Sequence, residues 1–142
     1  MKIQKYFLLQ NKKLKPWIKY WLFIKSKVSK NIFDVDNPTV IDAFVNGSSG
    51  LLASPTNRQK SFVVKVKPNT TYQITGVERS SSNYGFFNNE ILEINVSIAT
   101  IKANISNGSA ILTSGQNSKW LVFLWKGGAE TYGYSNIVIK EV

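Results

Sequence analysis

The sequence predicts an all-β fold, a single jelly-roll-like antiparallel β-sandwich preceded by a basic N-terminal arm. Three observations carry this. From Asn31 onward the chain breaks into short apolar runs separated by clusters of Gly, Asn, Ser and Pro, the punctuation of strands joined by tight turns. Within several runs, apolar and polar residues alternate at the period of two that a half-buried strand requires. The charge is also lopsided: residues 1–30 hold nine lysines and no acidic residue, whereas residues 31–142 hold nine basic and eight acidic groups. A chain of 142 residues, 43% hydrophobic and 18% charged, has material for one core and an appendage. It divides into an arm, 1–30, and a domain, 31–142.

In the arm, the stretch Tyr6-Phe7-Leu8-Leu9 stops at Gln10 and Asn11, so no secretory signal is read. The run from Trp17 to Ile24 contains Lys19 and falls far short of the ~20 residues needed to span a bilayer. Pro16 suits the first turn of a helix, and Trp17, Trp21, Ile24 and Val28 recur at three- and four-residue spacing, which predicts a short amphipathic helix. Trp17, Ile18, Trp21 and Leu22, with Lys12, Lys13, Lys15 and Lys19, form the candidate anchor. Its rings and lysines suit three partners: a protein surface, a membrane surface or nucleic acid. Docking on protein, either this domain or a neighbouring subunit, is the leading reading, because an aromatic stripe at helical spacing most often packs on protein.

In the domain, Asn37-Pro38 and Asn46-Gly47-Ser48-Ser49-Gly50 are turns that bracket a strand over 39–45. Ser61 to Lys67 alternates, with Phe62, Val64 and Val66 on one face. Pro68-Asn69-Thr70 then turns the chain into a strand over 71–77, which predicts a hairpin. Tyr84 to Phe87 forms the next strand. Ile91 to Ile101 follows as a further strand, where Ile94, Val96 and Ile98 alternate with Glu93, Asn95 and Ser97. The stretch 104–109 reads as turn and 110–113 as a short strand. Trp120 to Trp125 is continuously apolar, as a central strand buried on both faces would be. After a long loop through Gly127-Gly128 and Tyr132 to Asn136, the alternation of Ile137 and Ile139 with Val138 and Lys140 closes the sheet.

Composition also narrows the chemistry. The chain has no cysteine and no histidine, which removes thiolate and imidazole ligands, cysteine nucleophiles and every histidine-dependent triad. Glu90 and Glu93 have no nearby acid or base in sequence to tune them as a hydrolytic pair. Gly127-Gly128 lacks the further glycine and lysine of a phosphate loop. Asp34, Asp36, Asn37 and Asp42 could offer hard oxygen ligands to Ca²⁺, but turn formation explains the same residues, and no metal or other cofactor is assigned. The Asn-x-Ser/Thr triplets at Asn46, Asn69, Asn95, Asn104 and Asn107 are expected by chance in so Asn- and Ser-rich a chain. The expectation is a protein that is not an enzyme.

The segments Asn31-Ile32-Phe33-Asp34, Lys67 to Gly76, Tyr84 to Asn89, Ala110 to Thr113, Lys119 to Trp125 and Asn136 to Glu141 occur in an order that can be compared with known domains. In that order they resemble the carbohydrate-binding-module-like β-sandwich of phage tail, baseplate and fibre proteins. The resemblance covers most of residues 31–142 and none of the arm, and its motifs are turn and core signals. It departs in the long stretch from Glu93 to Asn107 and in having one sandwich behind a basic arm. The resemblance implies a virion structural protein, its arm fastened into a capsid, portal or tail neighbour and its sandwich exposed as a decoration or attachment domain. The implied partners are other virion proteins, further copies of the chain in a homo-oligomer and a host surface glycan. A glycan-binding adhesin module and a capsid component whose arm faces lipid or genome are the alternatives. For a glycan, the loop residues Asn83, Tyr84, Tyr132, Tyr134 and Asn136 are the candidate ligand contacts, since they combine flat rings with amides.

Overall fold

The computed structural model describes residues 29–142, which form ten β-strands and, among the described residues, no helix. Every strand pairing is antiparallel. A five-stranded sheet has the order β1 (Thr39–Ile41), β4 (Lys60–Lys65), β9 (Trp120–Lys126), β6 (Ser81–Phe87), β7 (Ile101–Ser106). A three-stranded sheet has the order β10 (Val138–Glu141), β5 (Thr71–Thr75), β8 (Ala110–Thr113). A small ladder joins β2 (Phe44–Val45) to β3 (Leu52–Ala53). The all-β, antiparallel class is therefore as the sequence predicts, and the anchor residues and helix read in the arm lie outside the described residues.

The main core fills the space between the two larger sheets. Phe62, Val64, Phe86, Leu121 and Phe123 from one sheet meet Tyr72, Ile74, Leu112 and Ile139 from the other. An aromatic stack occupies one end of this core. Phe33 packs edge-on against Phe62 at 5.0 Å between ring centres, Phe62 stacks on Trp125 at 4.9 Å, and Tyr134 stands edge-on to both rings. On the outer face of the five-stranded sheet, Ala43, Val45, Leu52, Phe87 and Val122 form a second, smaller core. The unbroken run of β9 thus has a core on each side, as a central strand must.

The domain is sewn shut at its start. Asn31 Oδ1 accepts the backbone N–H groups of Phe33 at 3.0 Å and Ile139 at 2.8 Å, its Nδ2 donates to the Ile137 carbonyl, and the Ile32 N–H donates to the Ile139 carbonyl. Several asparagines hold turns instead. Asn69, Asn95 and Asn107 adopt positive φ, which Asn tolerates better than most residues, and Asn46 Oδ1 accepts the Ser48 and Ser49 N–H groups.

Four expectations need correction. The strands flanking Pro68-Asn69-Thr70 do not pair as a hairpin: β4 belongs to the five-stranded sheet and β5 to the three-stranded one. The chain arches from one sheet to the other, because Phe62, Val64, Tyr72 and Ile74 all have to reach the same core. The Tyr72 hydroxyl accepts the Lys67 N–H, and Ser114 Oγ both accepts from the Thr70 N–H and donates to the Lys67 carbonyl, which fixes the arch. The strand expected over 39–45 is split into β1 and β2 by a bend at Asp42-Ala43, which sends the chain from the large sheet to the small ladder. Asn104 lies within β7 and not in a turn, because Ile105 is buried opposite Ser82 and holds the strand in register. The fourth correction, at 91–101, bears on the site.

Candidate functional site

The stretch from Ile91 to Ile98 is not a regular strand; β7 begins only at Ile101. It runs along the outside of the small ladder. The Asn95 N–H donates to the Leu52 carbonyl at 2.7 Å, the Leu52 N–H to the Ser97 carbonyl at 2.9 Å, and the Ala99 N–H to the Gly50 carbonyl at 2.9 Å. A turn in the middle is closed by the Ser97 N–H on the Glu93 carbonyl and by Ser97 Oγ, which accepts the Glu93 N–H. Asn95, at a φ of 65°, locks the turn to its neighbour: its Oδ1 accepts the Ser54 N–H and its Nδ2 donates to Ser54 Oγ.

Ile94 and Val96 lie in this turn and Ile98 just beyond it, and all three face solvent. Ile91, Ile94, Val96 and Ile98 are 75%, 42%, 62% and 58% exposed, while Ser97 is buried and Leu92 and Ala99 pack on the second core. At its end the segment comes close to the sheet beneath: a Cβ on Gly85 would come within 2.6 Å of the Ala99 Cβ, so only a small side chain fits at position 99. The result is an aliphatic ridge, four exposed apolar side chains concentrated in eight residues, and such a concentration is a candidate interaction site. Half-buried Trp120 sits at its foot, its Nε1–H donating to the Asn89 carbonyl at 3.0 Å.

Sequence reasoning missed this ridge because period two alone does not say which face is inner. The signal that could have found it is the pairing of small residues, Ser97 and Ala99, on the supposed solvent face.

The expected ligand residues are placed differently from one another. Tyr84 is only 6% exposed and lies in the main core edge-on to Phe86, and burial raises its hydroxyl pKa. It is not a surface contact, because β6 points it along the same face as Phe86. Asn83, on the opposite face, is half-buried, with its Nδ2 directed at the Val45 carbonyl. Tyr134 is committed to the aromatic stack, and the Tyr132 carbonyl accepts the Trp125 indole N–H at 3.1 Å. Asn136 is exposed, on the same loop. That loop is tied down by Arg79, which pairs with Glu130 at 3.2 Å, and by the Gly133 N–H on Glu78 Oε2 at 2.7 Å. Arg79 and the Gly127 N–H hold the Glu130 carboxyl below the usual carboxylate range. The structure therefore brings the two expected loops together through residues 78–81, but without their rings converging on one exposed surface.

Most of the remaining acidic groups are also engaged. Asp34 Oδ1 accepts the Asp36 and Asn37 N–H groups, the arrangement of a turn. Asp42 pairs with Lys60 at 2.6 Å, Glu90 with Lys119, and Glu141 with Lys67 at 2.7 Å, which raises the lysine pKa. Among the described residues, no three acidic side chains converge as a metal site would require. No family model, curated protein or solved structure matches the chain.

Proposed function

We propose that this chain is a structural protein of a phage particle. Its basic arm docks into a capsid, portal or tail neighbour, and its jelly-roll-like sandwich is displayed outward as a decoration or attachment domain. The observation that carries the reading is the aliphatic ridge at 91–98, exposed apolar surface of the kind that suits association, tied to the ladder beneath by backbone hydrogen bonds. The sequence of the arm supplies a second segment that is apolar and positively charged.

The motif order from Asn31 to Glu141 supports the phage comparison, and the two-sheet arrangement is compatible with a jelly roll. A non-catalytic role is supported by the acidic side chains, since Asp34, Asp42, Glu78, Glu90, Glu130 and Glu141 are spent on turns, N–H groups and ion pairs. The glycan-binding alternative is less favoured, because Tyr84 and Tyr134 are used in packing.

The test is incorporation. Deleting residues 1–30 is expected to leave a folded domain that no longer enters its particle, and the loss is expected at high as well as low salt. Protein docking through aromatic rings is nearly salt-insensitive, whereas binding through phosphate contacts weakens with a log–log slope of about 0.9 per contact on duplex DNA. Normal incorporation of the deleted protein, or attachment of the intact protein at low salt only, counts against the reading.

A further inference from the structure

A groove runs along the domain from the place where the arm joins it. Its first part, a cavity of about 290 Å³, is lined by Ile32, Lys65, Val66, Lys67, Tyr72 and Glu141. Its second part, of about 420 Å³, shares Lys65 and Val66 and continues past Pro68 to Lys119 and Trp120. The strands beneath keep the two together: Lys65 lies opposite Trp120 in the β4–β9 register, and the Val66 N–H donates to the Lys119 carbonyl at 3.0 Å. Pro68 is exposed and Ile32 and Trp120 are half-buried, so apolar surface is left open along the groove, and the Trp120 ring is held in place by its bond to the Asn89 carbonyl. The carboxylates that border it are already paired, Glu141 with Lys67 and Glu90 with Lys119, so the groove offers apolar contact and, among its described residues, no free acid.

We propose that this groove seats the Trp17 to Ile24 stretch of the same chain. This rests on the reading of the arm as a docking segment and names what covers that segment before a neighbour takes it. The position of the arm decides the occupant. Residues 1–28 join the domain through Ser29 to Ile32, and Ile32 is itself a wall of the groove. Ile24 precedes Ile32 by eight residues, a span of about 12 Å even when helical and of roughly 26–29 Å when extended. From Ile32 the groove passes Lys65, and Trp120 stands one strand spacing of about 4.8 Å beyond. The tether raises the local concentration of the stretch to about the millimolar range, above that of any separate copy in dilute solution. All of its residues but Lys19 are aliphatic or aromatic, which suits Ile32, Pro68 and Trp120, and Lys19 with the nearby Lys15 and Lys25 can reach water on their alkyl stems. With no charge pair formed, seating is nearly insensitive to salt.

The test uses the full-length protein in dilute solution. A photo-crosslinking benzoyl-phenylalanine at position 21 keeps an aromatic ring there, and isotopically light and heavy copies are mixed before illumination. Crosslinks are expected within single copies, from position 21 to residues 66–68 or 116–120. In parallel, amine labelling of Lys65 is compared in wild type and in Trp17→Ala/Trp21→Ala, which leaves every described residue unchanged. Labelling is expected to quicken by roughly fivefold or more in the variant, as for a seat filled most of the time, with Lys102 on β7 as the unchanged control. Crosslinks between light and heavy copies or to other surfaces, or Lys65 labelling indifferent to the arm substitutions, would overturn the proposal. The two readings fail separately. Particle entry lost on deleting the arm while crosslinks fall elsewhere leaves the docking arm standing and removes only its seat, and crosslinks in the groove with normal entry of the arm-deleted protein do the reverse.

Discussion

The segments 120–126 and 91–98 are both rich in apolar residues, and the fold uses them in opposite ways. Leu121, Val122 and Phe123 are fully buried in β9, which has ladder partners on both edges and a core on each face. Ile91, Ile94, Val96 and Ile98 are exposed, in a segment that turns at Asn95 and comes close to Gly85 at Ala99. The difference teaches that apolar content makes burial favourable without securing it. What secures it is an uninterrupted extended backbone with space on the inner side.

The largest effect that tests this contrast is in the middle of β9. Phe123→Ala is expected to cost about 3–5 kcal/mol, through lost burial and the cavity left beside Phe33 and Phe62. Val96→Ala is expected to change stability by no more than about 0.5 kcal/mol, as for an exposed side chain. Both are read by denaturant unfolding of the full-length chain, and a Val96 cost approaching that of Phe123 would mean that the ridge belongs to the domain's own core.

An intermediate effect tests why the ridge faces outward. Gly85→Ala is expected to cost about 1–3 kcal/mol, because the added methyl group meets the Ala99 Cβ and overpacks the contact. Adding Ala99→Gly is expected to return part of the loss. A double-mutant cycle measures the coupling, and strictly additive costs would show that these two residues do not set the spacing.

The smallest effect concerns the loop opposite the ridge. The Glu130 carboxyl lies below its ordinary value of 4.5, chiefly through its hydrogen bond with Arg79 and then through the Gly127 N–H. A carboxylate whose pKa is lower in the folded than in the unfolded state adds stability that is fully present above the unfolded value and is lost as pH falls through the folded one. Glu130→Gln is therefore expected to destabilise slightly at neutral pH, with the difference from wild type shrinking below about pH 4.5. Melting curves over that range check the sign, and a difference that grows on acidification would contradict it.

Much of the strand layout is legible in the sequence because it rests on local chemistry. Asn46-Gly47, Pro68-Asn69 and Asn107-Gly108 mark turns through their own backbone preferences, and the residues on either side of them alternate. Tyr84 is the opposite case. Its neighbours Asn83 and Gly85 suggest an exposed loop, yet β6 extends back to Ser81 and pairs on both edges, so Tyr84 is drawn into the core. The expected contact at Tyr84 is lost for that reason, while the exposed ridge emerges from a segment read as strand.

From the sequence alone come the all-β class, the approximate strand positions and the concentration of positive charge in the arm, because period, turn chemistry and composition act within a few residues. Only the tertiary structure decides that β4 pairs with β9 and not with β5, that Tyr84 turns inward, and that Ser97 and Ala99 take the inner face while four aliphatic residues point to solvent. Those outcomes depend on which distant segments share a sheet and how near they approach, and a local alternation is equally satisfied by either face until the space beneath it is known.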